Sequence, residues 1–280
     1  MSESGVVRHA QFRNCDKVTW RSKFHQIKTL IGENGFGWTS CFLAYCALQV
    51  TADKLNGWLE HWRIVRNLPG INSVASQRAI WDSWDWRQQG EEWTYSPEWK
   101  KSIVENFIRR FFIPDGLRVL EIGPGAGRWT EYLIPLSSAL HLVDLSQSCI
   151  NECKGRFGDD LRIQFHVNNG SDLVCIPDAS IDRIWSFDCF VHIDPPDVKK
   201  YVNECARVLS GGGIALIHHG STGKMEGWRS RLTKDQMQDF IRGSGMVVIE
   251  SVDSWDMNGE KFAPGYGDSV TVFQKSQGGV

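Results

Sequence analysis

The stretch Val119-Leu120-Glu121-Ile122-Gly123-Pro124-Gly125-Ala126-Gly127-Arg128-Trp129 constrains this chain more than any other. A short apolar run enters a turn with glycine at alternate positions, and a helical pattern follows at once. Glycines in such a turn let the backbone approach a ligand closely and leave helix N-terminal amides pointing at it. One strand later, His141-Leu142-Val143-Asp144 ends on an acid about 20 residues past the first glycine, where a carboxylate can accept both hydroxyls of a ribose. A glycine turn followed by such an acid in a βαβ frame points to a nucleotide-binding α/β sheet.

The pattern around the loop agrees. Apolar or β-branched runs at Leu117–Ile122, Leu140–Asp144, Leu161–Val167, Ile181–Phe187 and Gly213–His218 alternate with helical segments beginning near Gly127, Ser146 and Pro195. That alternation predicts a parallel sheet covered on both faces. A helix over Thr233–Arg242 leads to two more runs, Met246–Val252 and Ser269–Gln274, with no helix between them. Lacking a crossover, this last pair should be antiparallel. Residues 1–115 differ, with helical periodicity over Trp20–Leu30 and Leu43–Val65 and a turn at Pro69-Gly70. Five of the thirteen tryptophans (Trp81, Trp84, Trp86, Trp93, Trp99) then fall within nineteen positions. We read residues 1–115 as a helical, Trp-rich cap and residues 116–280 as the sheet domain. The tryptophans form either an aromatic seam on the sheet or a lid that closes over a ligand with Asp85, Glu91 and Glu92.

Composition removes several alternatives. The 280 residues carry 31 basic and 33 acidic side chains, a formal net charge of -2, so no broad basic field exists for nucleic acid. The most apolar stretch, Phe42–Val50, is about half of the ~20 residues a membrane span needs. No apolar h-region follows the first charges, so the expected compartment is the cytoplasm and the eight cysteines are expected reduced. Cys149 and Cys153 lack a second pair at zinc-finger spacing and read as buried thiols.

Two cofactor classes use such a loop. A dinucleotide fingerprint is G-x-G-x-x-G, whereas these glycines run G-x-G-x-G, and Arg128 stands where the third would be. Glu121 just before the loop disfavours a pyrophosphate and suits a ligand carrying positive charge. Here the chain resembles the class I S-adenosylmethionine-dependent methyltransferases over roughly Leu117–Lys275. The resemblance implies a Rossmann-like, seven-stranded, mostly parallel sheet with helices on both faces and an antiparallel terminal strand pair. It implies S-adenosylmethionine as cofactor and S-adenosylhomocysteine as product. By the same resemblance Gly123, Gly125 and Gly127 line the methionine part, with Glu121 beside them and Asp144 on the ribose. Gly170, Ser171 and Asp172 match the adenine-side motif, and Ser186, Phe187 and Asp188, ending the fourth strand, touch cofactor or acceptor.

Methyl transfer needs the acceptor atom held close and aligned, and an alcohol also needs a base. His192 follows the fourth strand at the edge where open α/β sheets bind ligands, and it is the first candidate base. His218 and His219 end the fifth strand at the same rim and are the substitutes. In the loop Ser221–Ser230, Trp228 offers a flat face for a ring and Arg229 a fork for a carboxylate, phosphate or diol. Trp86 and Trp93 are the cap residues expected on the acceptor. Asp188 with Asp194 or a cap acid could take Mg²⁺, but no spacing demands a metal. The expected activity is methylation of a hydroxyl on a small molecule or saccharide, by analogy with glycan and natural-product O-methyltransferases. The alternatives are N-methylation of a small amine and a cofactor-binding regulator that transfers nothing.

Overall fold

The computed structural model describes residues 20–66, 68, 70–223 and 228–277, with side chains from 27 onward. The N-terminal segment without an h-region, Pro69 and Lys224 to Gly227 of the polar loop lie outside these residues. The chain divides into two compact units, Met1–Leu68 and Pro69–Val280. The first contains α1 (Trp20–Val65), which joins both stretches of helical periodicity and is broken at Gly35, where φ 80° and ψ 162° leave helical space. Trp38 stacks on Phe42 at 5.3 Å and Trp58 lies 5.2 Å from Trp62, pairs spaced one helical turn apart. Among the described residues, no helix is long and apolar enough to cross a membrane.

The second unit holds the Trp-rich segment and the sheet together, so the compact-unit boundary falls upstream of residue 115. It begins with α2 (Val74–Ser83), capped by Ser73, and α3 (Pro97–Ile103), which runs through a wider π turn into α4 (Arg109–Phe111). Then come β1 (Leu117–Ile122), α5 (Thr130–Leu133), β2 (Ser137–Asp144), α6 (Gln147–Phe157), β3 (Ile163–Val167), β4 (Ile181–Phe190), α7 (Pro195–Val208) and β5 (Leu209–His219). The chain finishes with α8 (Lys234–Gly243), β6 (Met246–Val252), a hairpin of β7 (Trp255–Met257) and β8 (Glu260–Phe262), and β9 (Ser269–Lys275). The caps are local and legible. Ser146 Oγ accepts from Cys149 N at 3.2 Å, Pro195 opens α7, and Thr233 with Gln236 forms a capping box on α8.

The seven main strands lie in the order β3-β2-β1-β4-β5-β9-β6. The first five are mutually parallel, and β9 runs antiparallel to both neighbours, as the missing crossover predicts. Side chains on β1 alternate between two cores. Leu117 and Val119 pack with Trp99, Phe107 and Phe112 from the α3–α4 segment, while Leu120 and Ile122 pack with Val198, Val202 and Met237 from α7 and α8. Two consequences position the site. Strand order reverses at β1 and β4, which opens a crevice at the carboxyl ends of the parallel strands. Being antiparallel, β9 brings its amino end to that same rim, with Ser269 opposite His219.

Candidate active site

A cavity of about 410 Å³ occupies that crevice, within the rough 300–1,000 Å³ range of small-molecule sites. One end is the glycine loop. Gly123 has φ +70°, and a Cβ there would lie 2.4 Å from the Cys189 sulfur, so glycine is required both for backbone and for space. Gly125 has φ +57° and lies under the Trp86 indole, which a Cβ would approach to 3.0 Å. Asp144 is buried at the end of β2, and its carboxylate accepts from Gly125 N at 3.2 Å and Ser146 N at 2.9 Å. Burial pushes this carboxyl up to about 6, against the opposing pull of the two amides.

The floor is a chain of charges. Asp188, in the left-handed region with φ 63°, pairs with the buried Arg128 and presents its backbone amide and Oδ1 to His218 Nδ1, each at 3.1 Å. On its other side His218 Nε2 stands 3.5 Å from Asp268, and Asp268 lies 3.4 Å from Arg229, whose guanidinium covers the Tyr266 ring at 4.5 Å. Burial works against a charge on His218, but Asp188 and Asp268 outweigh it and raise its pKa. Burial likewise disfavours the Asp188 carboxylate, yet Arg128 and His218 hold it well below the usual range. Arg128 lines the cavity, and its Nη1 is buried without a hydrogen-bond partner.

His192 lines the opposite wall. Its Nδ1 lies 2.9 Å from the Trp228 carbonyl, which can only accept, so Nδ1 carries the proton and Nε2 keeps its lone pair. The ring packs on Trp81 at 5.4 Å, and burial lowers its pKa to about 4. Neutral across the physiological range, the imidazole presents an acceptor nitrogen beside the cavity. That is the state a general base requires.

The structure brings most of the expected residues to this cavity. Gly123, Gly125, Asp144, Gly170, Phe187, Asp188, His192, Trp228, Arg229, Trp86 and Trp93 all line it. Others stand elsewhere. His219 is buried with Nδ1 on the Gly220 carbonyl at 2.7 Å and Nε2 on Thr271 Oγ1 at 2.8 Å, so neither nitrogen is left for a substrate. His218 sits one layer behind the wall, against Phe187 at 4.4 Å. Glu121 lies beneath the loop rather than in it, accepting from Thr130 Oγ1 at 2.6 Å, and burial pushes its carboxyl up to about 8. Ser186 ties β4 to β1 through the Ile122 carbonyl at 2.8 Å. Gly127 packs on Phe157, and Ser171 and Asp172 are held in a turn by Asn169 at 2.9 and 3.1 Å. Among the described residues, no three His, Cys, Asp or Glu side chains converge as a metal site, and Asp188 is committed to Arg128 and His218.

The tryptophans fall into two groups. Trp99 belongs to the sheet core with Phe187 and Trp129, whereas Trp81, Trp84, Trp86 and Trp93 pack on one another at 5.3 to 6.0 Å above the glycine loop. Sequence reasoning missed Arg128, Asn72, Gln77, Tyr95 and Asp268. A signal existed for two of them. Arg128 directly follows the last glycine of the loop, and Asp268 directly precedes an antiparallel strand whose start must reach the rim.

Comparison with known proteins agrees with this geometry. Residues 119–213 match the family described as "Methyltransferase domain". A Mycobacterium tuberculosis protein named a probable S-adenosylmethionine-dependent methyltransferase is 29% identical over 99 residues, 35% of this chain and 34% of that protein. A ubiquinone biosynthesis O-methyltransferase of Xanthomonas oryzae is 25% identical over 103 residues, 36% of this chain and 42% of that enzyme. The aligned region thus spans less than half of these relatives' own length. In fold, a chain of the complex between the Haloferax volcanii Trm112 methyltransferase activator and a methyltransferase superposes with a TM-score of 0.57 at 18% identity, covering 72% of this chain and 99% of that one.

Proposed function

We propose that this chain is a class I S-adenosylmethionine-dependent methyltransferase that methylates a hydroxyl of a small molecule or saccharide with His192 as general base, a reading supported by the matched methyltransferase domain over residues 119–213. The observation that carries the proposal is one cavity lined by both the glycine loop and a histidine whose Nε2 is left as an acceptor. When bound, S-adenosylmethionine supplies an electrophilic methyl group on a sulfonium. Residues here fit it: Asp144 for the ribose hydroxyls, Gly123 and Gly125 where a Cβ would intrude, and the unpartnered Nη1 of Arg128 for the methionine carboxylate. Gly170 lies toward the adenine.

The chain's own work is positioning and proton removal. Trp81, Trp93 and Trp228 give flat walls for a sugar or ring and keep water from the reacting oxygen. His192 Nε2 takes the hydroxyl proton as the oxygen commits its electrons to the new carbon bond. A base this weak accepts a proton only when that bond is forming, so the two events are coupled. Its low pKa also changes what a pH profile means: with the base neutral above about 4, turnover at saturating cofactor stays level through the usual histidine range for an O-methyltransferase too. The chemical test is therefore the product. Transfer of a ¹³C-methyl from S-adenosylmethionine into a fractionated extract should give an O-methyl carbon signal in a carbohydrate or small-molecule fraction. An N-methyl signal would establish the amine alternative, and cofactor binding without any product would favour a regulator.

Cofactor binding has its own prediction. Asp144→Ala should weaken S-adenosylhomocysteine binding about ten- to hundredfold by calorimetry, the loss of charge-assisted bonding worth roughly 1.5–3 kcal/mol in total. In the wild type, affinity should be full above the raised carboxyl pKa of about 6 and fall as pH drops through it, because only the carboxylate accepts from both hydroxyls. Unchanged affinity in the variant would remove Asp144 from the site.

A further inference from the structure

His192 is held by more than its own hydrogen bond. From its ring a continuous path of contacts runs through the Trp-rich segment and back to the loop that binds it. The ring packs on Trp81. Trp81 Nε1 donates to Gln77 Oε1 at 2.9 Å, Gln77 Nε2 donates to Asn72 Oδ1 at 3.2 Å, and Asn72 Nδ2 donates to the Arg229 carbonyl at 3.2 Å. Arg229 follows Trp228, whose carbonyl accepts from His192 Nδ1. Next in the loop, Ser230 N donates to the Val191 carbonyl at 2.7 Å, fixing the far side of the same turn.

The direction of this relay is forced. An indole N–H only donates, so Gln77 must show it an oxygen, which leaves an NH₂ for Asn72. Asn72 must answer with its oxygen, and its own NH₂ then meets a carbonyl that only accepts. Rotating either amide would set donor against donor or acceptor against acceptor, at two residues only 6% exposed. Two apolar side chains would fill this space without specifying where the loop carbonyls point. The amides set the Trp228–Arg229 peptide relative to Trp81, and the peptide sets the proton on Nδ1.

Resting on the reading of His192 as base, we infer that Asn72 and Gln77 are positioning residues for it, locking the imidazole in the tautomer that turns Nε2 to the acceptor. The charges that face the ring are Arg229 on the loop, Asp188 at the end of β4 and Asp268 before β9, and none of them is altered by changing the two amides.

The test uses full-length protein labelled with ¹⁵N-histidine, comparing wild type, Gln77→Met and Trp81→Phe. Gln77→Met keeps side-chain length and breaks both links; Trp81→Phe keeps a smaller aromatic ring against His192 and removes the indole N–H that starts the relay. In the wild type His192 should remain neutral with its proton on Nδ1 across about pH 5 to 8, the range in which an ordinary histidine changes charge. In both variants the Nε2–H form should appear, because Nδ1 is no longer held to the Trp228 carbonyl. Methyl transfer should drop about ten- to hundredfold through kcat, as small misplacements of a reacting group do, with S-adenosylhomocysteine affinity retained. Should Gln77→Met not fold, Trp81→Phe gives the reading alone. Folded variants whose His192 tautomer matches the wild type would overturn the inference. Its failure is separable from that of the base: His192→Asn turning over normally would refute the base, while the relay would still stand or fall on the tautomer.

Discussion

His192→Asn should lower methyl transfer by roughly 10²–10⁴-fold, the range a positioned general base contributes, and leave cofactor affinity where it was. Asparagine keeps a donor for the Trp228 carbonyl and keeps most of the packing on Trp81, so the loss isolates the lone pair on Nε2. Parallel substitutions give the contrast that makes the result specific. His219→Gln should cost stability without changing turnover per folded molecule, because that ring is spent on Gly220 and Thr271 inside the sheet. His218→Gln should disturb the charge chain beneath Asp188 and lower both stability and turnover, but its loss is not the removal of a base at the cavity wall. Initial rates of label transfer, normalised to the folded fraction by circular dichroism, check all three. A His192 variant with near-normal rates would transfer the base role away from it and leave the cofactor end of the site intact.

These three histidines also show where sequence reading stops. The pattern of apolar runs places all three at the carboxyl rim of the sheet, and the structure has all three there. Which of them faces the cavity depends on partners distant in sequence: Thr271 is 52 residues from His219, and Trp228 is 36 from His192. Period-2 alternation says that adjacent strand residues point opposite ways but not what waits on either side. The strand limits were more legible because their causes are local. Leu117–Ile122 and Met246–Val252 match the expected runs at both ends, since glycines or turn residues bound them. The β7–β8 hairpin lies outside the expected runs although its Asn258-Gly259 turn carries the strongest short hairpin signal, with φ of 55° and 82° at the two residues. Helices α2 and α3 were obscured by the tryptophans around them, though Ser73 and Ser96-Pro97 are ordinary helix starts. The Asn72–Gln77 relay had no sequence signal at all, because its last link joins residues 157 apart and its members are common polar side chains.

The largest effect on stability is expected at Asp188. Asp188→Ala leaves Arg128, about 5% exposed, as a buried cation without its partner, and withdraws one of the two carboxylates from His218. Breaking such a pair from one side costs about 3–5 kcal/mol. Alanine must also hold the φ of 63° that aspartate tolerates better, which adds to the cost. For a unit of this size that is about 6–20 °C in melting temperature. Asp188→Asn should lose much less, since it keeps an acceptor for Arg128 and the same tolerance of the left-handed region. The pH dependence follows from the sign of each shift. Asp188 is depressed in the folded state, so its contribution is complete above the ordinary aspartate value of about 4 and disappears as pH falls through the lower folded value. His218 is raised, so its contribution is complete below the ordinary imidazole value of about 6.5 and disappears as pH rises through the folded one. The difference in unfolding free energy between wild type and Asp188→Asn should therefore be widest between those limits and narrow toward strong acid. A melting temperature of Asp188→Ala within about 2 °C of wild type would mean that water reaches Arg128 when its partner is removed. The charge chain would then be a feature of the open cavity floor rather than of the buried core, and the unpartnered Arg128 Nη1 would lose its standing as a donor reserved for the cofactor.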